Sequence, residues 1–188
     1  MKHLAPFAIA AALLLIPSLT HAGPITYNVN MTGAKEVTST GVPNQGDPDA
    51  LVTGTLTLDN GTGSGTTGSA SFNLVISNLD FPVTGYHIHT GGPNTSGPIL
   101  LNFQNITPFE NIRTGNTFVG TVSGLDAANV TAVEANPGGF YFNIHNGPFS
   151  GGAVRDQVPE PTTLAPLALA GLLLHRRRRN ATPAPERR

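Results

Sequence analysis

Residues 51–58 read Leu51-Val52-Thr53-Gly54-Thr55-Leu56-Thr57-Leu58, and residues 71–76 read Ser71-Phe72-Asn73-Leu74-Val75-Ile76. In both segments apolar and polar side chains alternate, which is the period of a strand with one buried face. The segment between them, 60–68, is rich in glycine, and no helix follows it to supply a phosphate-binding dipole. The pattern therefore predicts two strands joined by a long hairpin connection.

The rest of the domain repeats this pattern. Short runs of β-branched and aromatic residues recur between turn signals, and no long helical period is present. The predicted strands are 25–31, 51–58, 70–79, 84–89, 99–103, 117–122, 130–135 and 140–145, with a last edge strand over 153–158. Many short strands of this kind predict an all-β fold, an antiparallel Greek-key β-sandwich.

The composition of the domain excludes several functions. Residues 23–158 hold three basic and nine acidic side chains, a net charge near −6. A nucleic-acid partner is disfavoured, because no basic stripe is present to neutralise phosphates. The chain has no cysteine, which excludes disulfides, thiolate metal sites and cysteine nucleophiles.

The first 22 residues have the pattern of a signal peptide. Lys2 and His3 supply a positive start, the apolar run 4–19 follows, and Thr20-His21-Ala22 places small residues where signal peptidase reads them. The alternative is a transmembrane anchor. It is disfavoured because the apolar run contains two prolines and is shorter than the roughly 20 residues that span a bilayer. Export with cleavage after Ala22 is predicted.

The other end of the chain reads as a stop-transfer signal. After the domain come a proline-flanked glutamate, a short apolar stretch over 164–174, a basic cluster, and a polar tail over 180–188. Such a cluster holds its arginines on the cytoplasmic side of a membrane. The segment 159–179 is therefore predicted to sort the protein; its motif residues are Pro159, Glu160, Pro161, Arg176, Arg177, Arg178 and Arg179.

This tail resembles the PEP-CTERM sorting signal of exopolysaccharide-producing Gram-negative bacteria. The resemblance implies processing by an exosortase-type enzyme, after transient anchoring with the domain facing the periplasm. The expected destination is the cell surface or the medium, and the expected partners are surface proteins or the exopolysaccharide.

The domain contains three histidines, His87, His89 and His145, all in predicted strands beside glycine-rich turns. A period of two places His87 and His89 on one face, and the same period turns His145 away from the predicted core. If the two strands are neighbours, the three imidazoles form a site suited to copper or zinc, with Asp80 or Asp156 available to orient a ring. The alternative is three solvent-facing or hydrogen-bonded histidines that hold loops in place.

The segments around these histidines resemble a CHRD domain. The first half of that likeness is carried by 85–91 and 96–99, and the second half by 136–146 and 151–157. CHRD domains are named from chordin and occur singly in many exported bacterial proteins, and their biochemical role is largely undefined. The resemblance implies a single module over residues 23–158.

A weaker similarity is to the sandwich of copper-zinc superoxide dismutases; an immunoglobulin-like sandwich is the other fold expected. The dismutase likeness implies that His87, His89 and His145 bind copper and that Arg155 attracts an anion, although Arg155 also suits a structural role. The chain lacks the bridging histidine, the zinc-ligand cluster and the disulfide of those enzymes. Three functions stay open: a non-enzymatic surface binding module with a histidine metal site, a copper redox enzyme, and a metal-free structural matrix protein. No catalytic residue is assigned.

Overall fold

A computed structural model describes residues 23–62 and 67–160. The predicted signal peptide, Pro161 and the arginine cluster lie outside the described residues, so their predictions stay predictions. Within the described part, no helix is both long and apolar enough to cross a membrane.

Within residues 23–62 and 67–160, nine strands form one sheet in which every pairing is antiparallel. The strands are β1 Ile25–Thr32, β2 Leu51–Asp59, β3 Thr67–Ser77, β4 Val83–Thr90, β5 Ile99–Asn102, β6 Arg113–Thr114, β7 Thr117–Asp126, β8 Phe140–Asn146 and β9 Val154–Gln157. Their order across the sheet is β5-β4-β8-β9-β1-β2-β3-β7-β6. The prediction of an all-β fold is confirmed, while the Greek-key detail and the choice between immunoglobulin-like and dismutase-like sandwiches stay predictions.

The sheet curls so that its two halves pack against each other through aromatic rings. Phe72 of β3 lies at the centre, with ring centroids 5.7 Å from Tyr86 of β4 and 5.8 Å from Phe142 of β8. Its ring is also 5.2 Å from Phe103 and from Phe118. Edge contacts between such rings add to the hydrophobic gain of burying them. The core therefore joins β3 and β7 to the two strands that carry the histidines.

The hairpin predicted from the alternating segments is present, with β2 paired to β3 from Leu51–Ser77 to Asp59–Ser69. Val52, Leu56 and Leu58 are fully buried on its inner face. Gly54 has φ +143°, and a side chain at this position would collide with the carbonyl group of Asn73 on the neighbouring strand. Glycine is thus required here for both its backbone conformation and its size.

The strand predicted over 130–135 is wrong, because the chain forms an α-helix there, α1 Ala127–Ala135. Asp126 caps the helix, accepting hydrogen bonds from the backbone N–H groups of Ala128 and Asn129. Val130 and Val133 are its buried residues, a helical i, i+3 spacing. In a run this short, β-branched residues favour the prediction of a strand. The local sign of a helix is the capping residue Asp126.

The outer surface of β1, β2, β3 and β7 carries many hydroxyl and amide side chains together with the exposed valines Val75 and Val119, and is called here the hydroxyl face. Strand register aligns Thr26, Thr57, Ser71 and Thr121 in one row across the four strands. Hydroxyl contacts of 2.8 Å join Thr26 to Thr57, and contacts of 2.9 Å join Ser71 to Thr121. The twelve positions of the face, none of them charged, are Thr26, Asn28, Asn30, Thr53, Thr55, Thr57, Ser71, Asn73, Val75, Thr117, Val119 and Thr121.

Candidate metal centre

Strand pairing places the three predicted histidines on one face of the sheet. In the β4–β8 register, Gly85 lies opposite His145 and His87 lies opposite Asn143. The alternating residues of the same strands, Tyr86 and Ile144 among them, are fully buried in the core. The histidines therefore occupy the opposite face of β4 and β8, where loops cover them.

The three imidazoles lie close together. Ring centroids are 5.0 Å apart for His87 and His145, 5.5 Å for His87 and His89, and 5.7 Å for His89 and His145. One candidate ligand nitrogen from each ring lies within 4.8 Å of the others. In the described part of the chain, this is the only group of three or more histidine, aspartate or glutamate side chains so arranged. Bonds from zinc to imidazole nitrogen are about 2.0–2.1 Å long, so the three nitrogens would have to approach one another to share one ion.

Two of the rings are held through one nitrogen, and their other nitrogen has no hydrogen-bond partner. Nδ1 of His89 is 2.9 Å from the carbonyl oxygen of Gly97, and Nδ1 of His145 is 3.0 Å from that of Ser150. A carbonyl oxygen only accepts hydrogen bonds, so both rings carry their proton on Nδ1 and keep a lone pair on Nε2. Both Nε2 atoms are buried without a partner.

His87 also has one buried ring nitrogen without a hydrogen-bond partner. That nitrogen is Nδ1, and His87 lies opposite Asn102 in the β4–β5 register. Metal-binding histidines almost always donate their other ring N–H to a carboxylate, a backbone carbonyl or a water, as His89 and His145 do to backbone carbonyls here. The expectation that Asp80 or Asp156 orients a ring is wrong for His89 and His145, because backbone carbonyl groups hold these two rings; Asp156 instead accepts a hydrogen bond from the backbone N–H of Asn30.

Unpartnered buried polar atoms concentrate on this face. Eight such side-chain atoms occur in the described residues, and six of them lie on the covered face of β4, β8 and β9: His87 Nδ1, His89 Nε2, Asn143 Oδ1, His145 Nε2, Arg155 Nη1 and Gln157 Oε1. Buried polar groups without partners are costly, so native proteins satisfy nearly all of them. This face is therefore chemically suited to hold an ion, a small ligand or ordered water.

Tyr141 supports the site and was given no role by the sequence. Its ring stacks on the imidazole of His89, with centroids 4.9 Å apart and planes 9° apart. Its hydroxyl oxygen accepts a hydrogen bond of 3.2 Å from the backbone N–H of Gly97. The alternation of β8 already placed Tyr141 on the histidine face, which was the available signal.

Arg155 is buried, with 1% of its surface exposed. Its Nη2 donates hydrogen bonds to the carbonyl groups of Gly92 at 2.7 Å and of Thr95 at 2.9 Å. Its guanidinium carbon lies 3.4 Å from the centroid of the Tyr141 ring. This placement favours the structural role over attraction of an anion from solvent.

A buried carboxylate beside the site was also missed. Glu36 follows β1, is 3% exposed, and accepts a hydrogen bond from the Asn143 side chain. Burial raises the pKa of Glu36, while the nearby Arg155 charge acts in the opposite direction. Nothing in the local sequence marks Glu36, because its partners come from β8 and β9.

Burial keeps the three imidazoles neutral. It lowers the pKa of His87 from 6.5 to about 4, helped by the neighbouring rings of His145 and His89. Burial also lowers the pKa values of His89 and His145, although the carbonyl bonds of these two rings act in the opposite direction. Neutral imidazole is the form that binds metals.

This shift predicts a pH dependence that NMR can measure. Between pH 6.5 and about 4 the unfolded chain protonates His87 while the folded chain does not. The contribution of His87 to stability is therefore constant above this window and falls as the pH drops through it. In metal-free protein we expect the His87 ring to titrate near pH 4, and in urea-unfolded protein near pH 6.5. Equal midpoints in the two states would contradict the buried site.

Comparison with known proteins gives one match. No curated protein and no solved structure matches the chain. A family model described as the CHRD domain matches residues 27–158, which is more than half of the chain and includes all three histidines. The chain belongs to the CHRD domain family.

Proposed function

We propose that this protein is an exported CHRD-type binding module whose histidine cluster binds one copper or zinc ion. The observation that carries the proposal is the convergence of three neutral imidazoles, each with one buried nitrogen that has no partner, two of them held by loop carbonyl groups through the other nitrogen. Three imidazole nitrogens suit both zinc and copper. His87, His89 and His145 would be the ligands, and the carbonyl groups of Gly97 and Ser150 would fix two ring orientations.

Binding is favoured over copper redox catalysis by the state of Arg155. A dismutase-like enzyme would need a cation that attracts an anionic substrate to the metal. Arg155 is buried and already donates to two loop carbonyls, so it offers little to solvent. A redox assay on copper-loaded protein separates the two classes, since a binding module turns over no substrate above the rate of free copper.

Metal titration tests the proposal. Purified protein is stripped with a chelator, loaded with Cu(II) or Zn(II), desalted, and analysed for metal per chain. We expect one tightly held ion per chain for at least one of the two metals. Protein that retains neither metal after desalting would refute the metal site.

The proposal includes export and sorting. We propose cleavage by signal peptidase after Ala22, and processing near Pro159-Glu160-Pro161 by an exosortase-type enzyme after transient membrane anchoring through the apolar stretch 164–174. In support, β1 begins at Ile25 and β9 ends at Gln157, so both cleavage regions lie just outside the strands. N-terminal sequencing of the exported protein would give Gly23 as the first residue.

The hydroxyl face favours a second candidate function, adhesion to a neutral extracellular polysaccharide. Its hydroxyl and amide groups repeat along the strands and across four strands, and none of its twelve positions holds a charged side chain. An uncharged hydrogen-bonding polymer can approach such a face without desolvating an ion. This function would not need a metal.

Lysines placed in the hydroxyl face should weaken that adhesion. Thr55→Lys with Thr121→Lys is expected to reduce co-sedimentation with an insoluble neutral glucan several-fold, because each ammonium group must be desolvated on contact. The matched control is Thr84→Lys with Asn105→Lys, two exposed positions elsewhere. Equal co-sedimentation of wild type and the Thr55/Thr121 variant would count against the adhesive role.

A further inference from the structure

We infer that Arg155 is a positioning residue of the metal site: it fixes the 91–98 loop and the Tyr141 ring so that His89 directs Nε2 at the ion. The effect of Arg155 on metal binding rests on the proposed function. Arg155 itself would not be a ligand. Two independent sets of contacts connect it to His89.

The first connection passes through the loop. Arg155 donates to the carbonyl groups of Gly92 and Thr95, which lie in the loop that follows β4. The carbonyl group of Gly97, near the end of the same loop, holds Nδ1 of His89 at 2.9 Å. The position of the loop thus decides the ring orientation and the tautomer of His89, and Arg155 anchors that loop to β9.

The second connection passes through Tyr141. Strand β8 lies between β4 and β9 in the sheet, so Tyr141 lies between His89 and Arg155. Its ring packs against the guanidinium group at 3.4 Å and stacks on His89 at 4.9 Å. Its hydroxyl also accepts from the Gly97 N–H group, so the ring and the loop are held together.

The chemistry of this position requires arginine. A planar guanidinium can donate to two carbonyl groups while it stacks on an aromatic ring, and the compact ammonium of lysine cannot do both. Burying a cation carries a desolvation cost, which two carbonyl groups, an aromatic face and the nearby carboxylate of Glu36 offset in part, while Nη1 has no partner. A position used only for packing would not need a charged group.

Arg155→Lys and Arg155→Met in the full chain test the inference, with Cu(II) affinity measured by competition against a chelator of known affinity. We expect about 10–100-fold weaker binding in both variants, the usual effect of removing a group that orients a ligand. The copper EPR spectrum should also change, because the His89 ring is no longer fixed. Arg113→Met is the matched control, since its guanidinium likewise lies over an aromatic ring, at 3.8 Å from Phe81, and pairs with Glu110. The control should bind copper as the wild type does.

Amide hydrogen exchange of metal-free protein separates the possible failures. Residues 91–98 should exchange faster in Arg155→Lys than in wild type. If wild type binds copper and Arg155→Lys binds equally with the same spectrum, the positioning role is overturned and the proposed function stands. If wild type binds neither copper nor zinc, the proposed function fails, and unchanged loop exchange would also overturn the anchoring role. Arg155→Lys keeps the charge and decides the matter if Arg155→Met does not fold.

Discussion

Replacing His87 and His89 together by alanine is expected to abolish stoichiometric metal binding. The substitution removes two of three imidazole ligands and leaves His145 alone. Loss of a group that only orients a ligand costs about 10–100-fold in affinity, so loss of two ligands should weaken binding more than about 100-fold. Metal analysis after copper or zinc loading and desalting should fall from one ion per chain to none.

A control and a second variant keep this prediction decisive. Thr84→Ala with Thr90→Ala changes two other positions of β4 and should retain the ion. His87→Gln with His89→Gln keeps more of the side-chain volume and serves if the alanine variant unfolds. Full retention of one ion by the folded double variants would mean that the metal binds elsewhere.

The sequence predicted which face of the sheet the histidines occupy. It predicted only in part which strands lie next to each other. Period-two alternation is local, so it assigned His87 and His89 to one face and His145 away from the core. The pairing of β4 with β8 joins residues that are far apart in the chain, such as His87 and Asn143, which are 56 positions apart. The sequence could state this only as a condition, since strand partners are chosen by the packing of the whole sheet.

The groups that hold the rings could not be predicted in the same way. The carbonyl groups of Gly97 and Ser150 belong to loops, and a backbone carbonyl has no signature in sequence. The candidate orienting groups that can be recognised in the sequence are carboxylates such as Asp156. In the structure, Asp156 binds other partners. The sequence also could not decide the role of Arg155. Whether its guanidinium attracts an anion or anchors a loop depends on its burial by the 91–98 loop, which is not local in sequence.

Phe72→Ala is expected to destabilise the fold by about 3–5 kcal/mol, the usual cost of removing a buried phenylalanine. Phe72 is 2% exposed, and its ring contacts aromatic side chains from both halves of the curled sheet. Domains of this size are stable by about 5–15 kcal/mol, so the loss is a large part of the total. Urea denaturation followed by far-UV circular dichroism measures it. Val119→Ala on β7, where the side chain is 60% exposed, should change stability by no more than about 0.5 kcal/mol.

The same variant connects the core to the site. Phe72 packs on Tyr86 and Phe142, which precede His87 and Asn143 in their strands. A metal that binds only the folded state restores stability by mass action, about 2.7 kcal/mol at 100 times its Kd. Saturating copper or zinc should therefore recover much of the loss in Phe72→Ala, and none of it when His87 and His89 are also alanine. Equal recovery with and without the two histidines would show that the ion stabilises the fold from another place, since the only difference between the two proteins is the proposed ligand pair.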